Sequence, residues 1–173
     1  MQFTYTMIIR KAEISDLENI MSMYRSCVAG MIANDIDQWD ESYPNAKVII
    51  GDLIAQTYFV AIENDIIIAG INIDQNQDDT YLALDWKDKR NQFLVVHRLA
   101  VKVEFWNDGI GKSLMLFTEN LVTEKGLNSI RLDTYSGNPK AMEFYRRIGY
   151  SELGTIDLKP NKDKYHCFEK IIK

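Results

Sequence analysis

Apolar positions along the chain switch between a period near two and a period near 3.6, and the switches lay out its elements. Met7 to Arg10 reads as a first strand. Ser15 with Glu18 three residues later predicts a capping box ahead of Leu17, Ile20, Met21, Met23 and Tyr24, hence a first helix. A second helix is expected after Tyr43-Pro44, where Val48, Ile49, Leu53 and Ile54 recur at helical spacing. Tyr58 to Glu63 and Ile66 to Asp74 are β-branched runs separated by Asn64-Asp65, residues that accept the positive φ of a hairpin turn. Phe93 to Val101 is a strand apolar enough to be buried on both faces. Ile110 to Lys125 then repeats helically through Leu114, Phe117, Leu121 and Val122, with Gly126 placed to stop it. Ile130 to Tyr135 is a strand, Pro139 to Arg147 a short helix ended by Gly149. Tyr150 to Ile156 and Tyr165 to Ile172 form a closing strand pair around Pro160-Asn161. The order βααββ followed by βαβαββ predicts an α/β protein with a mixed sheet flanked by helices. One stretch breaks the rhythm. Asp74 to Asn91 is polar and long, and a functional loop or mobile flap is expected there.

Length and charge narrow the classes of function. The 173 residues suit one domain spanning 1–173, and no repeat or Pro/Gly/Ser linker divides them. An apolar fraction of 46%, including 3 Trp, 7 Phe and 9 Tyr, is ample for a core. Twenty basic against 25 acidic residues give a net charge of −5, so the basic footprint of a nucleic-acid binder is missing. The longest apolar runs, such as Ile66 to Ile71, fall well below the roughly 20 residues that span a bilayer. The N-terminal residues to Met7 lack the pattern of a signal peptide, so a cytoplasmic protein with neither nucleic-acid nor membrane partner is expected. Cys27 and Cys167 are isolated, which predicts structural thiols and no metal site.

Candidate chemistry begins between the strand ending at Val101 and the helix near Ile110. Trp106-Asn107-Asp108-Gly109-Ile110-Gly111-Lys112-Ser113 places glycines where backbone amides meet the positive end of a helix dipole. By itself the turn supports two readings, a bare helix start or a cradle for phosphate or pyrophosphate. The dinucleotide fingerprint and the nucleotide-triphosphate loop are both absent, for want of a third glycine in one case and an earlier glycine in the other.

The flanks separate the two readings. Leu99-Ala100-Val101 before the turn, and Asn138-x-x-Ala141-x-x-Phe144-Tyr145-x-x-x-Gly149-Tyr150 after it, resemble the acetyl-coenzyme A site of the GNAT N-acetyltransferase superfamily over about Leu94 to Gly154. The resemblance implies a single GNAT-like domain with a splayed sheet and acetyl-coenzyme A as co-substrate. The pantetheine arm would lie along Leu99, Ala100 and Val101, and the pyrophosphate on amides from Asn107 through Asp108, Gly109, Ile110, Gly111 and Lys112 to Ser113. Asn138, Ala141 and Phe144 would stand beside the arm. The family's loop usually begins with Gln or Arg; this chain has Trp106, Asn107 and Asp108, and a carboxylate there repels a pyrophosphate unless it points to solvent.

Acyl transfer to an amine needs a proton acceptor for the amine and an acid for the departing thiolate. Tyr145 occupies the place of the family's thiolate acid; its other reading is a packed aromatic beside Phe144. His97 precedes Leu99 by two and so is expected on the same strand face. An imidazole suits amine deprotonation near neutral pH, and His97-Arg98-Leu99-Ala100-Val101 is similar to arylalkylamine N-acetyltransferases; the alternative is a buried histidine bonded to backbone. His166 reads as structural. Between the first two helices, Trp39, Asp40, Glu41 and Tyr43 combine aromatics with carboxylates suited to a cationic amine, or else form a capping loop. Trp86 is expected to form the pocket's other lip. The reading is therefore an acyltransferase that acetylates a primary amine of a small molecule in a ternary complex. Its rivals are a protein N-terminal or lysine acetyltransferase and a non-catalytic coenzyme A sensor. A homodimer is compatible with the sequence, which does not fix the oligomeric state.

Overall fold

A computed structural model describes residues 7–160 and 162–172. The stretch before Met7 lies outside these, as does Asn161 of the expected Pro160-Asn161 turn. Seven strands, β1 (Ile8–Lys11), β2 (Tyr58–Glu63), β3 (Ile66–Asp74), β4 (Phe93–Val101), β5 (Ser129–Tyr135), β6 (Ser151–Ile156) and β7 (Tyr165–Ile171), form one sheet in the order β1-β2-β3-β4-β5-β7-β6. All neighbours are antiparallel except β4 and β5, which run parallel. Helices α1 (Leu17–Ala33) and α2 (Ala46–Ile54) cover one face, and α3 (Ile110–Glu124) and α4 (Pro139–Arg147) the other. Ile20, Met23, Tyr24, Ile49 and Tyr58 fill the first interface; Ile71, Leu114, Met115, Leu132 and Phe168 fill the second. The hairpin turn has the expected chemistry, since Asn64 and Asp65 sit at φ 50° and 62°.

The centre of the sheet opens. Strands β4 and β5 pair from Phe93↔Ser129 to Val96↔Leu132 and then part. On the other edge of β4, Asn72 faces His97 while Gly70 faces Ala100, so β4 carries one residue more than β3 across this step. That residue is a bulge at Arg98, whose φ is 52°. Three elements hold it. The Tyr24 hydroxyl of α1 donates to the Arg98 carbonyl at 2.8 Å, and the Tyr58 hydroxyl of β2 donates to Tyr24 at 2.9 Å. The Arg98 guanidinium grips Asp52 of α2 through Nη2 at 2.7 and 2.6 Å. A Cβ at position 70 would lie 2.2 Å from the Tyr58 hydroxyl, so a glycine is required where that ring passes.

Local differences from the expected elements have local causes. The Asp16 carboxylate accepts the Glu13 amide at 2.8 Å and pairs with Arg10 at 2.7 and 2.9 Å, so it organises the turn before α1 in place of the Ser15/Glu18 pair. Glu18 instead meets Arg25 at 2.9 Å. Asn45 caps α2 by accepting the Val48 amide at 3.1 Å, which leaves Pro44 ahead of the cap.

The polar stretch between β3 and β4 is no flap. Tyr81 and Trp86 are buried, and the Trp86 indole donates to the Tyr81 carbonyl at 2.8 Å. The amides of Lys87 and Asp88 donate to the buried Glu169 carboxylate of β7 at 2.6 and 3.1 Å. Arg131 of β5 is sandwiched between the Trp86 and Phe93 rings, at 4.5 and 3.9 Å from their centroids. Asp88 in turn accepts the amides of Arg90 and Gln92 at 3.1 and 2.8 Å. The insertion's polar residues thus satisfy its own backbone, and its two aromatics seal the sheet face that α1 and α2 leave uncovered.

Where α1 crosses the loop after β4, a Cβ on Gly30 would stand 2.6 Å from Val103 and 2.9 Å from Trp106. Gly30→Ala gains about 1 kcal/mol of helix propensity but forces an overpacking penalty of about 1–3 kcal/mol. A net loss is expected, seen as a lower denaturation midpoint in urea; a raised midpoint would mean that the loop yields freely.

Candidate active site

The parted strands form the wall of a cleft of about 1070 Å³ that runs between the start of α3 and α4. Leu99, Ala100 and Val101 line one side, as their position past the last β4–β5 pair requires. At the mouth, Asn107 and Gly109 adopt positive φ values of 71° and 82°, which turn the chain into α3. The amides of residues 109–112 have no backbone partner among the described residues, and no side chain caps the helix. Four donors at a positive dipole end therefore face the cleft, with Lys112, Lys140 and Arg147 also on its lining. This donor set fits the pyrophosphate of coenzyme A. Asn107, Gly109, Ile110, Gly111 and Lys112 line the cleft as expected.

Two residues of the expected cradle stand outside it. Asp108 is exposed and off the lining, which removes its conflict with an anion. Ser113 has its amide and hydroxyl engaged by the Gly109 carbonyl, at 3.0 and 3.3 Å. The Trp106 indole donates to the Val101 carbonyl at 2.8 Å, which fixes the loop to the end of β4.

Across the cleft, α4 presents Ala141, Phe144 and Tyr145. Asn138 caps the helix by accepting the Ala141 amide at 3.1 Å, and its Nδ2 donates to Gln38 of the α1–α2 connection at 2.8 Å. The Tyr145 ring packs against Phe144, Tyr150 and Phe168 at centroid separations of 5.1, 5.9 and 5.8 Å. Burial first, then the charge of Asp133, push its phenol well above the ordinary value, so the proton stays on. Cys27 lines the cleft as a thiol, raised by burial to about 11.

His97 is not beside Leu99. The bulge at Arg98 breaks the alternation that would have put them on one face, and His97 is off the cleft lining. Its Nε2 lies 3.0 Å from Asp74 Oδ1 and 3.0 Å from the Asn76 carbonyl. His166 sits at 2.6 Å from Glu152 on the far edge of the sheet.

The expected acceptor residues are similarly divided. Trp39 lines the cleft, edge-on to Tyr24 at 5.7 Å. Asp40 and Glu41 are exposed; Asp40 accepts the Ser42 hydroxyl and amide at 2.6 and 2.8 Å, and these bonds hold its carboxyl below the usual range. Tyr43 accepts Arg98 Nη1 at 3.4 Å and lies under the Lys159 ammonium, 4.4 Å from its ring centroid, outside the cleft. Trp86 is in the insertion's core and makes no lip. Gln38, Arg98 and Asp133 are cleft residues that sequence reasoning passed over. A carboxylate within the expected strand Ile130 to Tyr135 was the available signal for Asp133. Arg98 carried none, because no sequence pattern announced the bulge.

A sheet opened beside a helix N-terminus, with an unpaired tyrosine across the gap, is the arrangement of an acyltransferase that takes its acyl group from coenzyme A. The chain belongs to the acetyltransferase (GNAT) family, whose sequence model matches residues 19–150; the family uses acetyl-coenzyme A as donor. It is 32% identical over 85 residues to the uncharacterised N-acetyltransferase YesJ of Bacillus subtilis (strain 168), a match that takes in 49% of this chain and 44% of that relative. The chain thus matches less than half the length of that relative. Among solved structures, an acetyltransferase of the GNAT family from Streptococcus agalactiae 2603 superposes with a TM-score of 0.84 at 23% identity, covering 96% of each chain. The PaiA N-acetyltransferase from Thermoplasma acidophilum, in complex with coenzyme A, superposes with a TM-score of 0.67 at 19% identity, covering 94% of this chain and 98% of that one. These likenesses establish the fold.

Proposed function

We propose that the protein transfers the acetyl group of acetyl-coenzyme A to a primary amine of a small molecule by direct attack in a ternary complex. The observation that supports the small-molecule reading is the set of ties that fix the connection between α1 and α2 beside the cleft. Lys162 of the β6–β7 connection donates to the Asp37 carboxylate and carbonyl, both at 2.8 Å, and Asn138 on the cleft lining donates to Gln38, so the α1–α2 connection is tied to the β6–β7 connection and to α4. A peptide acceptor needs an open groove there, whereas a small amine needs an enclosed pocket. In this reading the amides of residues 109–112 and Lys112 hold the pyrophosphate, and the β4 backbone at Leu99 to Val101 aligns the pantetheine arm. Tyr145 gives its proton to the leaving sulfur. Neither cysteine has a nucleophile's setting, since burial keeps both Cys27 and Cys167 protonated.

Two measurements test it. Coenzyme A at a hundred times its dissociation constant stabilises by about 2.7 kcal/mol, which in a chain of this size raises Tm by roughly 5–10 °C; no shift at millimolar ligand would remove the donor site. Thiol release from acetyl-coenzyme A is then assayed with polyamines, arylalkylamines, amino acids, aminoglycosides and peptides. Turnover with a free amine is expected, and turnover confined to peptides would overturn the small-molecule assignment.

A further inference from the structure

Asp133 is the first residue of β5 beyond its last pairing with β4, so it stands at the apex where the two strands part and lines the cleft there. It has no cationic partner within salt-bridge distance among the described residues, although 25 acidic and 20 basic residues form many pairs elsewhere. Its Oδ2 accepts the Tyr81 hydroxyl at 2.5 Å, and its Oδ1 has no hydrogen-bond partner among the described residues. Tyr81 comes from the insertion, where the Trp86 indole holds its carbonyl and Glu169 anchors the next turn. The insertion is therefore a device that presses one hydroxyl onto one oxygen of a cleft carboxylate and leaves the other free.

We propose that Asp133 is the carboxylate that meets the acceptor's ammonium group and takes its proton, with Tyr81 as its positioning residue. The inference rests on the acetyltransferase reading above and gives its acceptor a chemical class, a primary ammonium small enough to reach the apex. The ammonium passes one proton to Oδ1, and the freed nitrogen lone pair forms the C–N bond to the thioester carbonyl carbon. As the C–S bond breaks, Tyr145 protonates sulfur, the second nitrogen proton restores the tyrosine, and the proton on Asp133 leaves to water through the cleft. One proton is released for each acetyl group transferred.

The surroundings suit this part. Burial raises the Asp133 carboxyl above the ordinary carboxylate range, which makes it a stronger base, while the Tyr81 hydrogen bond pulls it back down. The other titratable groups around it are His97 on β4, Tyr145 on α4, Tyr165 and Cys167 on β7, and at longer range Asp78 of the insertion and Lys159 after β6. Burial raises Tyr81, Tyr145, Tyr165 and Cys167, so they stay protonated while the carboxylate titrates.

The test uses the full chain and the best amine of the panel. Asp133→Asn keeps an acceptor for Tyr81, so its melting curve and coenzyme A affinity are expected to match the parent, while kcat/KM falls at least a hundredfold and the rising limb of its pH profile disappears. Tyr81→Phe removes a hydrogen bond to the ionised form, and the rising limb is expected to move up by about one pH unit; a purely structural tyrosine would not move it. His97→Gln is expected to keep the limb. Independently of turnover, the protein saturated with coenzyme A is titrated calorimetrically with putrescine and with phenethylamine. At least one is expected to bind, and Asp133→Asn to weaken it tenfold or more. An Asp133→Asn enzyme with parental kcat/KM, a limb that follows His97, or equal amine affinity in parent and variant would overturn the inference. Binding that depends on Asp133 without any thiol release would instead count against the acetyltransferase reading alone.

Discussion

Tyr145→Phe is expected to lower kcat by about 10²–10⁴, the usual contribution of a positioned acid or base, while coenzyme A affinity changes by less than about threefold. The substitution removes one oxygen from a ring whose packing against Phe144, Tyr150 and Phe168 is otherwise retained. The hydroxyl donates to no protein acceptor among the described residues, and burial keeps its proton on, so it is available to a leaving group in the cleft. Stability should therefore be nearly unchanged, since no hydrogen bond is lost. A kcat and kcat/KM that fall together identify an interaction made in the transition state. An unchanged kcat at saturating substrates would return Tyr145 to the role of a packed aromatic.

The largest stability effect is expected at Glu169, far from the donor site. Its side chain is buried, accepts the Lys87 and Asp88 amides at 2.6 and 3.1 Å, and faces Arg131 Nε at 3.7 Å. Glu169→Ala leaves two amides without an acceptor and strands a guanidinium between Trp86 and Phe93. Breaking a buried pair in this way costs about 3–5 kcal/mol, which lowers Tm by roughly 10 °C in a chain of this size. The loss should reach function too, because the insertion that Glu169 anchors delivers Tyr81 to Asp133. Scanning calorimetry beside the thiol-release assay checks both halves. A Tm change below about 2 °C would mean that the insertion holds its place without β7.

The elements most faithfully written in the sequence are those with strong local signals. The hairpin strands Tyr58–Glu63 and Ile66–Asp74, strand Phe93–Val101 and helix Pro139–Arg147 run over the expected residues, because alternation, turn residues and an Asn138 cap act over a few positions. Competing local partners were harder to rank. Ser15 and Glu18 have capping spacing, but Asp16 wins because Arg10, across the turn, pairs with it. The insertion misled for a related reason: its polar residues look solvated until Glu169, some 80 positions away, is seen to accept its amides.

The candidate site divides along the same line. The donor side of the cleft was legible because its lining comes from a helix start and from residues on α4 at fixed spacing, and both are local properties. The acceptor side was not. Strand parity placed His97 beside Leu99, and a single extra residue at Arg98, held by Tyr24, Tyr58 and Asp52 from three other elements, turned it away. The same opening of the sheet brought Asp133 to the apex. By itself, then, the sequence determined the order of elements, the family and the glycine turn that opens α3, since each depends on neighbours within one element or its flanks. Tertiary structure alone decided which carboxylate stands at the apex of the cleft and which tyrosine bonds to it, because a bulge is stabilised by contacts from distant segments and resets the face of every residue beyond it.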